Sequence, residues 1–329
     1  MDFRRSVMVI YYGVLILLDI LRNVYKFGFT SVFQWKQTER PKCLEDPVLG
    51  KHGHLTIKDV RIHYVASGPI KGPLMLFLHG FPEFWFSWRH QLREFNKDHR
   101  VVAVDMRGYG DSDKPKGIDA YSMRVLISDV KEIIEALGYS TCTLVAHDWG
   151  GLVAWPFAKF YPDYVDKLII LNVVPKPVFE FVVPRSRAQQ ERSWYVTFFQ
   201  LPWIPELRLK IMNFAALRNI FTAANITDPE IIDAYVYTFS RPGALTPPID
   251  YYRALVRGSG GSFTYDARCN MPVLLIWGCQ DNYLGEECVD GLAQLAPDVQ
   301  IKLIQRANHF VAMEEPETVN RFMRDWLEG

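Results

Sequence analysis

The stretch LVAHDWGG, residues 144–151, surrounds one acidic side chain, Asp148, with mostly small neighbours. This pattern is typical of a nucleophile elbow, in which a strand ends, a sharp strained turn lifts one side chain out of the sheet, and a helix begins beneath it. A serine is usual at such a turn. A carboxylate is a poor choice for opening an amide but a reasonable one for attacking a saturated carbon, so Asp148 predicts a substrate with an electrophilic sp3 carbon.

Strand-like and helical runs alternate on both sides of this stretch. After a predicted hairpin, LTIKD and VRIHYVA, the runs LMLFLH, RVVAVDM, CTLVAH, KLIILNV, PVLLIWG and VQIKLI have the apolar character of buried strands. Amphipathic segments such as SMRVLISDVKEIIEALG lie between several of them, and Gly138 is expected to end that helix. The alternation predicts an α/β fold with a mostly parallel sheet flanked by helices.

The strand rhythm is interrupted once. From about residue 175 to residue 262, proline-rich turns and aromatic helical segments such as SWYVTFFQLPWIPELRLKIM replace the strands. We therefore predict a core in two parts, residues 52–174 and 263–329, with a helical lid, residues 175–262, inserted between them.

The N-terminus differs in character from the body. Residues 6–21 are nearly all apolar, broken only by Asp19, and no small-residue cleavage site follows them, which favours an uncleaved signal anchor over a cleaved signal peptide. We expect residues 1–33 to form a single transmembrane helix that binds the lipid bilayer, and residues 34–51 to form a linker. Basic residues flank both ends of the apolar run, so the side of the membrane stays open, and with it the glycosylation of the Asn225 sequon.

The composition excludes some classes of protein. Among 329 residues, 37 Lys and Arg balance 37 Asp and Glu, and the body contains no basic block, so we expect no nucleic-acid partner. The five cysteines form no C-x-x-C pair and the histidines have no partner at metal-ligand spacing. We therefore expect no metal site.

Three residues at predicted strand ends follow the order nucleophile, acid, histidine of a hydrolytic triad. Asp148 follows CTLVAH, Asp281 follows PVLLIWGCQ, and His309 follows VQIKLI. Each has a structural alternative, as a helix N-cap, a turn residue and a surface loop residue respectively. Their order at three strand ends favours a catalytic triad, with an inactive descendant of the fold as the alternative.

A second loop is predicted beside the nucleophile. The stretch HGFPEFWFSWRHQL, residues 79–92, directly follows the strand LMLFLH. In this kind of fold the loop after that strand supplies one backbone N–H of an oxyanion hole, and the residue after the nucleophile supplies the other. Those residues are Phe81 and Trp149, although HGFP could also be a plain turn.

The stretches HGFP, HDWGG, WGCQD and NHF together resemble the epoxide hydrolases of the α/β-hydrolase fold, and the similarity runs from about residue 50 to the end. The apolar N-terminus resembles that of the membrane-anchored animal members. The resemblance implies that two lid tyrosines hold the epoxide oxygen. The segments WYVTFFQ and IDYYRAL resemble those that carry them, which maps the pair to Tyr195 and Tyr252, although the adjacent Tyr251 could be mistaken for the second. With Phe81 and Trp149, these tyrosines are expected to bind the substrate.

The resemblance also implies a two-step hydrolysis that needs no cofactor. Asp148 would attack an epoxide carbon to give a hydroxyalkyl ester, and His309, oriented by Asp281, would activate the water that hydrolyses this ester to a vicinal diol. An aromatic lid and an anchor favour apolar epoxides, lipid epoxides among them, and a location in the endoplasmic reticulum membrane.

Two alternatives remain. A haloalkane dehalogenase shares the fold and an aspartate elbow, but its halide donors are usually tryptophan or asparagine rather than paired phenols. A non-catalytic ligand-binding member of the fold would keep the architecture without the reaction. A serine esterase is excluded because no serine occupies the elbow.

Overall fold

Eight strands form one sheet in the computed structural model, which describes residues 3–36, 38–261 and 264–329. The strands are β1 (Lys51–Ile57), β2 (Val60–Ser67), β3 (Leu74–Leu78), β4 (Arg100–Val104), β5 (Cys142–His147), β6 (Val165–Leu171), β7 (Val273–Gly278) and β8 (Gln300–Ile304). Their order across the sheet is β1-β2-β4-β3-β5-β6-β7-β8. β2 pairs antiparallel with both β1 and β4, and every other pairing, from β4 across to β8, is parallel. The predicted mostly parallel α/β sheet is confirmed.

Helices account for most of the remaining chain. They are α1 (Phe3–Phe27), α2 (Phe29–Phe33), α3 (Arg89–Phe95), α4 (Met123–Ala136), α5 (Trp149–Phe160), α6 (Lys176–Val182), α7 (Arg187–Arg192), α8 (Trp194–Phe198), α9 (Ile204–Ala223), α10 (Pro229–Ser240), α11 (Thr246–Arg257), α12 (Glu287–Leu295), α13 (Val311–Glu314) and α14 (Pro316–Glu328). Gly138, just beyond α4, has a φ of 84°, as expected of a glycine that ends a helix.

The central strands β3, β5 and β7 are buried along their whole length. Helices cover both faces of a parallel sheet, so neither face can be polar, and these strands are continuous apolar runs rather than alternating ones. β1 is different: it begins four residues before the predicted LTIKD and is mostly exposed, because it lies at the edge of the sheet and pairs with β2 alone.

The helices α6–α11 interrupt the core between two adjacent strands. β6 and β7 pair in parallel although these helices separate them in the sequence, so the sheet closes beneath the insertion. The predicted boundary between residues 262 and 263 lies outside the described residues, as do residues 1, 2 and 37 of the predicted anchor and linker.

The N-terminal helix α1 has the dimensions of a membrane span. The segment Val7–Phe27 has a mean hydropathy of 1.8 over its most apolar window, and only 17% of that window is buried in the protein. Length and composition therefore fit a membrane anchor or a signal sequence.

Candidate active site

The turn at Asp148 has the strained geometry of an elbow. Asp148 follows β5 directly and precedes α5, with φ 46° and ψ −117°, a conformation that is costly for a residue with a side chain. The neighbouring backbone leaves no room for other side chains. A Cβ atom on Gly150 would lie 2.2 Å from the carbonyl oxygen of Leu78, and one on Gly80 would lie 2.4 Å from the Cβ of Asp148. The small residues of the stretch are therefore required by packing.

The Asp148 carboxylate lies between a backbone donor and a histidine. The N–H of Phe81 donates to Oδ1 at 2.8 Å, and the Nε2 atom of His309 lies 3.6 Å from Oδ2. Trp149 is the first residue of α5, so its backbone N–H has no acceptor within the helix and can donate to a group at the turn. The two residues predicted to supply oxyanion donors, Phe81 and Trp149, therefore flank Asp148.

His309 is held by a second carboxylate. Its Nδ1 donates to Oδ2 of Asp281 at 2.7 Å. The other oxygen of Asp281 accepts the backbone N–H groups of Tyr283 at 2.7 Å and Leu284 at 3.0 Å. Asp148, Asp281 and His309 follow β5, β7 and β8, so the carboxyl ends of three parallel strands bring the predicted triad residues together.

Burial and neighbouring charges act in opposite directions on the pKa values of His309 and Asp148. Burial disfavours the imidazolium of His309, but Asp281 and then Asp148 outweigh burial and raise its pKa well above 6.5. Burial likewise raises the pKa of the Asp148 carboxyl, but hydrogen bonding and charge from His309 outweigh it, and the net pKa is lowered. Both shifts favour the charged pair, with a carboxylate on Asp148 beside an imidazolium on His309.

The two predicted lid tyrosines face each other across the site. Tyr195 lies on α8 and Tyr252 on α11, with ring centroids 5.8 Å apart and planes at 81°. The Tyr252 ring also packs edge-on against Trp149 at 4.9 Å and Phe81 at 5.5 Å. The structure thus brings the four predicted substrate-binding residues into one group.

Tyr251 points elsewhere. Its hydroxyl donates to the carbonyl oxygen of Arg107 at 2.7 Å, and its ring is fully buried. Successive residues of a helix differ by about 100° in direction, so only one tyrosine of the pair can face Asp148. That tyrosine is Tyr252.

The phenols are suited to donate rather than to ionise. Burial, followed by the charge of Asp148, raises the pKa of Tyr195 and of Tyr252 well above 10. Both hydroxyls are therefore neutral at physiological pH, with a proton available for an oxygen that gains negative charge.

A cavity of about 490 Å³ opens beside these groups. Its wall is largely apolar and aromatic, and Asp148, Tyr195 and Tyr252 all line it. The lining residues include Trp149, Leu152, Val173, Phe179, Val196, Leu255 and Leu284. The arrangement fits an apolar ligand with one reactive polar group.

Asn172 supports Asp281 and was not predicted. Its Nδ2 donates to Oδ2 of Asp281 at 2.7 Å, and its Oδ1 accepts the N–H of Gly278 at 2.9 Å. Asn172 is fully buried and has a φ of 43°. Its place at the end of the strand KLIILNV was the available signal, because a side chain there faces the same sheet edge as the triad.

A buried pair beneath the elbow was also missed. The Nδ1 of His147 contacts Oε2 of Glu83 at 2.7 Å, and that oxygen also accepts the N–H of Gly80 at 2.7 Å. The other ring nitrogen of His147 lies 2.9 Å from the carbonyl oxygen of His309. His147 thus links the loop that contains Glu83 to the loop that contains His309.

The loop DMRGYGDSD, residues 105–113, has a structural role. His63, Asp105 and Asp111 place possible ligand atoms within 4.8 Å of one another. His63 Nδ1 already donates to Asp105 at 2.7 Å, the N–H of Asp111 donates to the same Asp105 oxygen at 2.8 Å, and Arg40 pairs with Asp111 at 3.1 Å. These contacts satisfy the cluster with protein groups and tie the loop to the sheet.

Known proteins match this chain over most of its length. Residues 73–202 match the family model described as the alpha/beta hydrolase fold. Epoxide hydrolase 4 of Mus musculus is 39% identical over 335 residues, which cover 97% of this chain and 92% of that protein. Epoxide hydrolase 3 of Xenopus tropicalis is 40% identical over 323 residues, covering 94% and 87% respectively. The crystal structure of Bacillus megaterium epoxide hydrolase in complex with an inhibitor has a TM-score of 0.76 and 34% identity, covering 84% of this chain and 100% of that one.

Proposed function

This chain belongs to the epoxide hydrolases of the α/β-hydrolase fold and is an epoxide hydrolase, and from this premise we propose that it works through a covalent ester on Asp148. We assign the activation of water to His309 and Asp281, and the protonation of the epoxide oxygen to Tyr195 and Tyr252. The observation that carries the proposal is that the Asp148 carboxylate and both phenols border one cavity. The dehalogenase and non-catalytic alternatives are not favoured.

In the first step the Asp148 carboxylate attacks an epoxide carbon. The bond from that carbon to the ring oxygen breaks as the ester bond forms, and the oxygen takes up a proton from the phenols. The raised pKa values of Tyr195 and Tyr252 keep both protons in place until the oxygen becomes basic. The donors strengthen as charge develops, which is the condition for lowering the barrier.

In the second step water attacks the carbonyl carbon of the ester. Esterification removes the charge of Asp148, one of the two carboxylates that raise the pKa of His309. The pKa of His309 therefore falls when the intermediate forms, so His309 gives its proton to solvent and the neutral ring accepts one from the attacking water. The amides of Phe81 and Trp149 stabilise the oxyanion, and its collapse breaks the ester bond while His309 passes that proton to the departing diol oxygen. The second proton of the water leaves the new carboxyl group for the phenolate, which restores the Asp148 carboxylate and the phenol.

We propose apolar epoxides, including lipid epoxides, as the substrate class. The cavity of about 490 Å³ has a largely apolar wall, and Asp148 and both phenols border it. Burial of an apolar body there contributes about 25 cal/mol per Å² of surface removed from water, while the phenols and Asp148 select the epoxide group.

We propose the same division of the chain that the sequence predicts: an anchor (1–33), a linker (34–51), a core (52–174 and 263–329) and a lid (175–262). The pairing of β6 with β7 supports a lid inserted into one core. The exposed apolar helix α1 supports a single-pass anchor, which we assign to the endoplasmic reticulum because uncleaved apolar N-terminal segments are inserted there.

The mechanism is tested by trapping the ester. The variant His309→Gln, incubated with a fatty-acid epoxide or an aryl epoxide, should add the substrate mass to the peptide that contains Asp148, while Asp148→Ala should form no adduct and no diol. A haloalkane in the same assay controls for halide release. Adduct on any other residue, or full turnover by Asp148→Ala, contradicts the assignment.

A further inference from the structure

Among the described residues, the helix α1 packs against the lid helices α8 and α9. The ring of Tyr12 lies 5.5 Å from that of Trp194 on α8. Gly13 faces Leu201, and a Cβ atom on this glycine would lie 3.2 Å from the leucine Cδ1. Val9 is almost fully buried. The contact between helix and lid is therefore close enough that a glycine is favoured in it.

The acidic residue that interrupts the apolar run has its partner on the lid. An Oδ2 atom of Asp19 lies 3.7 Å from the Nη2 atom of Arg208 on α9. A charge within an apolar helix is costly in a membrane unless it is paired. Arg208 of the lid supplies that pairing, so Asp19 helps to hold α1 against the lid.

A separate apolar cluster extends the contact past Asp19. Ile20 of α1 and Val32 of α2 are buried against Ile211 of α9. There α9 leaves helical geometry for four residues, from Ile211 to Phe214. The irregular segment begins in this cluster, and the contact between α1 and the lid reaches from Tyr12 to Ile20 along the helix.

This contact fixes the depth of the lid if α1 spans a bilayer. The segment Val7–Phe27 has 21 residues, and at 1.5 Å per residue its length is close to the thickness of about 30 Å of a hydrocarbon core. Tyr12, Gly13 and Asp19 lie in its central part, and any group that touches them must lie at bilayer depth.

The lid surface beside this contact has the composition of a membrane interface. Trp194 is 39% exposed and Trp203, at the start of α9, is 62% exposed. Trp194 touches Tyr12, Trp203 lies two residues after Leu201, which faces Gly13, and Lys210 follows on α9 beside Trp35, which lies beyond the apolar run. Tryptophan and basic residues together are typical of segments at the level of the lipid headgroups.

We propose that α8 and the first half of α9 contact the lipid bilayer beside α1, so that the anchor and the lid insert as one unit. The inference rests on the proposed anchor and goes beyond it, because a plain anchor would leave the lid in water. Trp194 faces α1, and the next residue, Tyr195, borders the substrate cavity. An epoxide dissolved in the bilayer therefore has a short path to its donor.

The experiment uses the full-length protein in phosphatidylcholine nanodiscs, with and without lipids brominated in the acyl chains, which quench nearby tryptophans. The fluorescence of Trp203 is obtained as the difference between the parent and Trp203→Phe. Trp326→Phe, on α14 of the core, is the matched control. We expect the Trp203 signal to be quenched by bromolipid and protected from aqueous iodide, and the Trp326 signal to be unaffected by bromolipid.

The outcomes separate the lid from the anchor. If the membrane-bound protein resists alkaline carbonate and Trp203 is not quenched by bromolipid, the lid proposal is wrong and the anchor stands. If carbonate releases the parent, both are wrong. A second variant, Trp203→Glu, should slow turnover of an epoxide dissolved in the bilayer severalfold and leave turnover of a water-soluble epoxide unchanged; equal effects on both substrates contradict the proposed path from lipid.

Discussion

Removing the hydroxyl of Tyr252 should slow ester formation without disturbing the site. The ring of Tyr252 packs against Trp149, Phe81, Phe199 and Tyr195, and Tyr252→Phe keeps all of these contacts. The substitution removes one donor that acts on the oxygen as it gains charge. Loss of a comparable oxyanion donor slows an enzyme by about a hundredfold to a thousandfold, and because Tyr195 still donates we expect a loss of about tenfold to a thousandfold, or about 1.4–4 kcal/mol.

The adjacent residue provides a matched control. Tyr251→Phe removes a hydroxyl from the same helix, but that hydroxyl donates to the Arg107 carbonyl. It should reduce the free energy of unfolding by about 1 kcal/mol and leave alkylation at the parent rate.

Single-turnover kinetics distinguishes the two variants. Alkylation is followed by tryptophan fluorescence and hydrolysis by release of the diol, with Tyr195→Phe measured in parallel and the double variant expected to be slower than either single one. The reasoning is refuted if Tyr252→Phe alkylates at the parent rate, or if Tyr251→Phe slows alkylation as much as Tyr252→Phe.

Three further expectations follow from the same contacts. Asn172→Ala should slow hydrolysis of the ester by about tenfold to a hundredfold and slow alkylation much less, because it removes a hydrogen bond to the charged Asp281. Equal slowing of both steps in single-turnover kinetics would argue against a role of Asn172 in supporting Asp281. Folding raises the pKa of His309, so the stability that its ion pairs contribute should be complete below about pH 6.5 and be lost as the pH rises through the raised pKa. The melting temperature of His309→Gln should therefore fall less with rising pH than that of the parent. An identical fall in parent and variant would contradict the shift. Deletion of residues 1–40 should release the protein from membranes in carbonate extraction, and a deleted protein that stays membrane-bound would show that another segment holds it.

The sequence by itself predicted the sheet and the place on it of the three residues to which we assign the triad. Asp148, Asp281 and His309 each follow an apolar strand directly, and the carboxyl ends of parallel strands meet at one edge of the sheet. Position along the chain therefore translates into position in space, and the same rule predicted the loop that contains Phe81.

Other features depended on how helices pack. The assignment of the second tyrosine to Tyr252 rather than Tyr251 came from the family resemblance and not from the residues themselves, since the choice is set by the rotation of α11 about its axis. Burial and an acceptor at the Arg107 carbonyl orient Tyr251 away from Asp148, and only the tertiary structure defines that acceptor.

Pairings between distant residues were likewise outside the reach of the sequence. Glu83 meets His147, and Asp19 meets Arg208, across long separations in the chain. Buried polar groups need partners, so the sequence indicates that such residues will be paired. It does not indicate with which residue, because the partner is selected by the packing of helices and loops against the finished sheet rather than by local conformational preference.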